Sequence, residues 1–398
     1  MKDKKKVAIL RGPSLSKWEM QIYEPLDKSF DLLGIGAKQR INDVEGIKFP
    51  CVFLPLRFGF VQNLPKYTIL MNTVFGDTRW LGNFDKTIAG YDILHTVELR
   101  TGFTLQAVQA KQKGLVKAVT ATIYENIPFV SAEYTARLRL KKAVLPHIDH
   151  FLAANKEARQ ALLAEGAEAS KISIVPQGVN TQVFSPKNDN SLDMLRNSFG
   201  LKKEDFVILS AARMVWEKGW YDLVRAAYHI KINPSTSLRA RTQNGKKIVF
   251  LCIGDGPERR RLERLVVALG ISDLVHFTGN VSYKQMPEYF AIADMFVLAS
   301  VPTRNWNEQF GGVLIEAMAA SLPIVGTTNG GICSTVGRSG GIFVPPQDFA
   351  KLGQAIIHLY KNPQLVQKMG KRNREVAVRL HDVNKVSKSI EKIWRDLI

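Results

Sequence analysis

The chain has 398 residues, 45% hydrophobic and 23% charged, which suits two globular domains whose cores need neither disulfides nor metals. Lys and Arg outnumber Asp and Glu by 55 to 36, a formal net charge of +19, so anionic partners are expected: nucleotides, nucleic acid or acidic lipid headgroups. No apolar run approaches the roughly 18 residues that span a bilayer, and the basic N-terminus lacks a signal peptide's apolar stretch.

Cys51, Cys252 and Cys333 are far apart and form no C-x-x-C pair, so they read as structural thiols of a cytoplasmic protein.

The first strand is "KKKVAILRG", a short apolar run that ends at Gly12. Further strands are expected at 51–56, 66–72, 91–97, 118–124 and 150–155, with helices at "TLQAVQAKQKG" and "AEYTARLRLKKAVLPHI" between them. Strands that alternate with helices imply a parallel sheet covered on both faces. Near 176–186 prolines, a glycine and a polar run mark a linker.

The alternation then restarts. Strands are expected at 206–213, 247–258, 274–279 and 295–300 and at "PIVGT", separated by helices, and a final pair of helices closes the chain. The segment 237–247 reads as a solvated insertion. The expected fold class is therefore α/β, with two Rossmann-like doubly wound domains. Their spans are 1–183, 184–375 and a C-terminal helix, 376–398, that returns to the first domain.

Ligands of open parallel sheets bind at the carboxyl ends of strands, and the suspicious residues fall there. "AARMVWEKGW" places Arg213 and Lys218 after one strand, a planar fork and a point charge that together suit a pyrophosphate. "CIGDGPE" offers Gly254 and Gly256 for close backbone approach, a weak signal alone. Neither a G-x-G-x-x-G fingerprint nor a P-loop is present.

"EQFGGVLIEAMAASLPIVGT" is more informative. Phe310, Gly311 and Gly312 open a helix whose free N–H groups and dipole attract an anion. Glu316 lies one turn further on the same face, placed for ribose hydroxyls, and Glu308 precedes the turn, placed for sugar hydroxyls. An isolated pair of glutamates at this spacing would mean only surface charge near a helix start. Here it is accompanied.

The motifs "VPQGVNTQVF", "AARMVWEKG", "IGDGPE", "HFTGNV", "LAS", "EQFGGVLIEAMAASLPIVGT" and "GIFVPPQD" run in order from about residue 148 onward. Together they resemble the retaining glycosyltransferases of family 4, which have the GT-B architecture. The resemblance implies transfer of a sugar, with retention, from a nucleotide sugar such as a UDP- or GDP-sugar. The acceptor would be a glycan, a lipid-linked molecule or a small molecule, in cell-envelope polysaccharide or glycolipid synthesis.

It implies that Arg213 and Lys218 bind the donor diphosphate, Glu308 the sugar and Glu316 the ribose. Phe310, Gly311, Gly312 and Val313 would supply backbone, and Gly279 and Val281 would edge the base. Gly12 and Gly254 join the donor site.

The family needs no metal, and no Asp-x-Asp occurs here. Where family members place a histidine near the reacting carbon, this chain has Tyr124, Glu125 and Asn126. Glu125 is the catalytic candidate there, with His95, Glu98, Tyr124 and Asn126 on the acceptor side.

Lys111, Lys113 and Lys117, with Arg137, Arg139, Lys141 and Lys142, suggest peripheral contact with an anionic membrane at its inner face. Alternatives are an epimerase or phosphorylase on the same fold and, remotely, a basic nucleic-acid-binding protein. Charge spread over both halves and the absence of a recognition signature speak against nucleic acid.

Overall fold

The computed structural model describes residues 4–39, 44–57, 73–74, 76–77, 79–130, 135–186, 191–232 and 247–398. The chain divides into two compact units, Met1–Gly178 with Val383–Ile398, and Val179–Asp382.

The first unit is built on seven parallel strands in the order β3-β2-β1-β4-β5-β6-β7. They are β1 (Lys5–Gly12), β2 (Phe30–Ala37), β3 (Cys51–Leu54), β4 (Tyr91–Val97), β5 (Val116–Ile123), β6 (His150–Ala153) and β7 (Ile172–Ile174). The long apolar run of β1 follows from cover on both faces. Ala8 and Leu10 enter one core with Leu94, Phe103 and Val108, while Val7 and Ile9 enter the other with Ile93 and Trp394.

The helix Val383–Asp396 closes that second face with Val383, Val386, Ile390 and Trp394, spaced one turn apart. Trp394 stacks on Tyr23 with centroids 5.9 Å apart and meets the edge of Phe30 at 5.5 Å. Its Nε1 donates to Thr120 Oγ1 at 3.3 Å.

Two strands of this unit carry no clear sequence signal. β2 is interrupted by glycines, which the tertiary structure explains. A Cβ on Gly34 would lie 2.7 Å from Cys51 Sγ, and one on Gly36 would lie 2.8 Å from the Phe53 ring. The glycines make room for β3. β7 has only three residues. The strand expected at 66–72 lies outside the described residues.

The second unit has six parallel strands in the order β10-β9-β8-β11-β12-β13. These are β8 (Phe206–Ala211), β9 (Ile248–Ile253), β10 (Val275–Gly279), β11 (Met295–Leu298), β12 (Ile324–Thr327) and β13 (Gly341–Val344). β13, in "GIFV", is a further strand that the expected series lacked. The close of the chain is three helices rather than two: Phe349–Tyr360, Pro363–Val376 and Val383–Asp396. Most of the insertion expected at 237–247 lies outside the described residues.

The units part at Gly178 and Asp382, not at 183 and 375. Backbone chemistry sets this: the Val179 N–H donates to the His381 carbonyl at 2.7 Å, while Met369 and Val376 are buried.

Candidate functional site

In the second unit, five loops meet at the carboxyl end of the sheet, and glycines let them touch. Gly219, in the left-handed region at φ 68, ends the turn Trp216–Lys218. A Cβ there would sit 1.8 Å from the Ala299 carbonyl oxygen, so the loops after β8 and β11 meet backbone to backbone. Gly254 has φ 129, a Cβ on it would lie 2.1 Å from the Ala212 carbonyl, and its N–H donates to the Gly279 carbonyl at 2.8 Å. The Met214 N–H donates to the Asp255 carbonyl, also at 2.8 Å. Such bracing fixes the side chains above it.

Lys218 Nζ donates to Glu308 Oε2 at 2.7 Å, and Ser300 Oγ donates to the same oxygen at 2.7 Å. The ammonium also lies 4.8 Å from the centre of the Trp306 ring. The Lys218 side chain is 21% exposed and that of Glu308 8%, so each charge needs the other. Glu308 is fixed from behind, since its carbonyl accepts from the Gly331 N–H at 2.8 Å.

Arg213 is exposed, and among the described residues its guanidinium forms no ion pair.

Gly311, at φ 69, is the N-cap of the helix Gly312–Ala319. The first N–H groups of that helix, from Gly312 and Val313, have no partner within it and point outward with the positive end of the dipole. Phe310 is buried against His381, and its carbonyl accepts from Thr335 Oγ1 at 3.0 Å. Glu316 follows one turn later and is 3% exposed. Gly279 has φ 79, and a Cβ there would meet the Arg259 guanidinium at 2.9 Å. Val281, two residues on, is half-buried.

In the first unit the corresponding strand ends look different. Gly12, at φ 54, packs on Phe103, and the neighbouring Arg11 is buried in an ion pair with Glu19. His95 is wholly buried. Its Nδ1 bonds Thr120 Oγ1 at 2.8 Å, and its Nε2 bonds the Tyr23 hydroxyl at 2.9 Å and Thr122 Oγ1 at 3.1 Å. Burial, then Arg11, pushes its pKa down to about 3.

Glu125 is 4% exposed and accepts from Lys141 Nζ at 2.6 Å; Lys141 also holds Glu165 at 2.5 Å. Glu98 has φ 61 and accepts from the Tyr124 N–H at 3.0 Å. Burial, then the charge of Glu125, pushes the Glu98 carboxyl up to about 7. Tyr124 and Asn126 are half-buried beside them.

The family model for glycosyl transferases group 1 matches residues 193–376, which span the braced loops of the second unit. The second unit belongs to the glycosyl transferases group 1 family.

Over 233 residues the chain is 28% identical to alpha-monoglucosyldiacylglycerol synthase of Acholeplasma laidlawii, covering 57% of this chain and 53% of that protein. The chain spans about half the length of the curated relatives it matches, 53%, 47% and 43% for three of them.

Among solved structures, sucrose-phosphate synthase from Thermosynechococcus elongatus superposes with a TM-score of 0.74 at 21% identity, over 99% of both chains. The Anabaena protein HepE, in complex with UDP-glucose, does so with a TM-score of 0.74 at 17% identity, over 98% of this chain and 99% of that one. The fold is GT-B, with a Rossmann-like α/β sheet in each unit.

Within the group 1 glycosyl transferase unit, Arg213, Lys218, Gly254 and Gly279 lie at or just after the carboxyl ends of strands, while Glu308 lies in the loop that follows β11 and Glu316 in the helix after that loop. Lys218 and Glu308, expected to serve different parts of a ligand, are each other's partner. Ser300, Trp306 and Gly330 were not singled out in the sequence. Gly330 (φ 53) would place a Cβ 2.1 Å from the Glu308 carbonyl, and "TNGG" was the available signal.

The first unit requires corrections. His95 belongs to the core, not to an acceptor surface, because its three hydroxyl partners satisfy both ring nitrogens. Glu125 is clamped by Lys141 instead of standing open. Lys141 is therefore no surface cation. Lys111, Lys113 and Lys117 pair with Asp149, Asp85 and Asp92, and Arg137 donates to the Gly76 carbonyl. Of the seven cations, Arg139 and Lys142 are exposed and form no ion pair among the described residues. No helix among those residues is long and apolar enough to cross a membrane.

Proposed function

We propose that this chain is a glycosyltransferase that moves a sugar from a nucleotide sugar to a hydroxyl of its acceptor, with retention at the anomeric carbon. The observation that carries the reading is the Lys218–Glu308–Ser300 cluster beside the Gly311–Gly312 helix start, inside the unit that matches the family.

A diphosphate would draw the Lys218 ammonium from Glu308, freeing that carboxylate to accept from sugar hydroxyls. Arg213, Lys218 and the helix N–H groups would then meet the charge that grows on the departing diphosphate. Glu316 would hold the ribose. Three cationic or dipolar groups in one braced site make leaving-group stabilisation the main source of rate.

A UDP-sugar donor is supported by the Anabaena neighbour in complex with UDP-glucose. A lipid acceptor is supported by the name of the Acholeplasma relative, which speaks of a glucosyldiacylglycerol. Metal independence rests on the missing Asp-x-Asp together with the Arg213 and Lys218 pair.

The test is calorimetric titration of the chain with UDP, GDP and UDP-glucose, followed by measurement of UDP released from UDP-glucose with and without excess chelator. Binding of a nucleoside diphosphate, with turnover that survives the chelator, is expected. Absence of binding to every nucleotide would overturn the reading, and activity restored only by a divalent ion would overturn its metal-free form.

A further inference from the structure

At the ends of β4 and β5 the first unit gathers charges that do not balance. Glu125 Oε2 accepts from Lys141 Nζ at 2.6 Å, Lys141 also holds Glu165, and Arg100 Nε stands 3.6 Å from Glu125 Oε1. Glu98 Oε1 has the Tyr124 N–H as its donor at 3.0 Å. Two oxygens remain: Glu98 Oε2 and Glu125 Oε1 are both buried and without a hydrogen-bond partner. Three carboxylates also face two cations, leaving one negative charge uncompensated in a poorly solvated place. Each defect is costly.

A single proton held between the two carboxyls would remove both, by supplying the missing donor and closing the charge sum. The backbone is committed to this arrangement: Glu98 holds a left-handed φ of 61, unusual for a residue with a Cβ. Its N–H donates to the Thr122 carbonyl at 3.0 Å, and its carbonyl accepts from Thr104 Oγ1 at 2.7 Å.

We propose that Glu98 and Glu125 share one proton and form a pH-sensitive latch that ties the carboxyl-end segments of β4 and β5 together. The inference does not depend on the glycosyl-transfer reading.

The groups facing Glu98 are Glu125 and Tyr124 after β5, Arg100 on its own loop and Lys141 from the helix Thr135–Val144. Glu165 lies behind Lys141, and the Arg11–Glu19 pair lies behind Tyr124. Burial and the Glu125 carboxylate raise Glu98 to about 7. A raised carboxyl gives stability that is complete below its ordinary value of 4.5 and is lost as the pH rises to about 7. Above that, two carboxylates repel and the latch opens.

The test uses the full chain and three measurements. Amide exchange of residues 98–101 and 124–126, corrected for its intrinsic pH dependence, should quicken at least about tenfold between pH 6 and 8.5 in the wild type, the factor that one lost pH unit of coupling implies. In Glu98→Gln, which has no carboxyl to titrate at that position, these segments should stay protected throughout.

Carbon-13 titration should find Glu98 well above the usual carboxylate range, and Glu125→Gln should lower it by about one unit or more. That second variant decides the matter if Glu98→Gln does not fold. An ordinary Glu98 titration, or the same pH response in wild type and Glu98→Gln, would overturn the proposal.

Discussion

The two sheet ends are built to different rules. In the second unit, glycines at 219, 254, 256 and 330 bring backbones into contact, and one ion pair, Lys218 with Glu308, lies partly open above them. In the first unit the charges are sunk: Arg11 with Glu19, Lys141 with Glu125 and Glu165, and a neutral His95 among hydroxyls. A braced scaffold with exchangeable charge suits a ligand that arrives and leaves. Buried charge with fixed partners suits stability, and substitutions at either sheet end test the difference.

Lys141→Ala should have the largest effect. It strands two buried carboxylates, and breaking such a pair costs about 3–5 kcal/mol. Denaturant unfolding should show that loss while nucleotide binding by the second unit persists. A variant as stable as wild type would mean that the first unit's charges are not structural.

Lys218→Ala makes the opposite claim. Transition-state stabilisation should fall by about 2.7–4 kcal/mol, read as kcat, with a much smaller change in melting. A variant that melts far lower yet turns over normally would place Lys218 with the structural ions.

Glu316→Ala should weaken nucleotide binding by about 1.5–3 kcal/mol, the worth of a hydrogen bond to a charged group, with kcat nearly preserved. Calorimetry with UDP measures it, and unchanged affinity would remove Glu316 from the ribose.

His95 sharpens the contrast through pH. Its folded pKa is depressed, so its contribution is present above the ordinary 6.5 and is lost as the pH falls toward about 3, at up to about 1.36 kcal/mol per unit. Glu98 has the opposite sign between 4.5 and about 7, so the two partly cancel in the wild type. The difference between wild type and His95→Gln isolates the histidine. A flat difference over pH 4 to 6.5 would contradict its burial as a neutral ring.

The smallest effect belongs to the membrane. Arg139 and Lys142 together offer about 2 kcal/mol toward anionic vesicles, at about 1 kcal/mol each. Co-sedimentation should therefore be weak and disappear at physiological salt. Strong, salt-resistant binding would require a surface other than this helix.

The parallel α/β class, most of the strands and several residues at the carboxyl end of the second sheet were legible in the sequence. Those features are local. Apolar runs report burial on both faces, and a glycine turn, a cation and a carboxylate keep their meaning wherever the loop is placed. Arg213, Lys218, Glu308, Gly312 and Glu316 were legible for that reason.

The rest follows from packing between distant parts of the chain. That Lys218 pairs with Glu308 across 90 positions, that Gly34 and Gly36 mark a strand and that His95 is core are facts about neighbours distant in sequence. The same is true of Lys141, which a helical pattern presents as surface charge and which burial turns into the counter-ion of two carboxylates. Charge pattern along a chain does not encode desolvation. What a charged side chain does depends on which other charges the fold brings beside it.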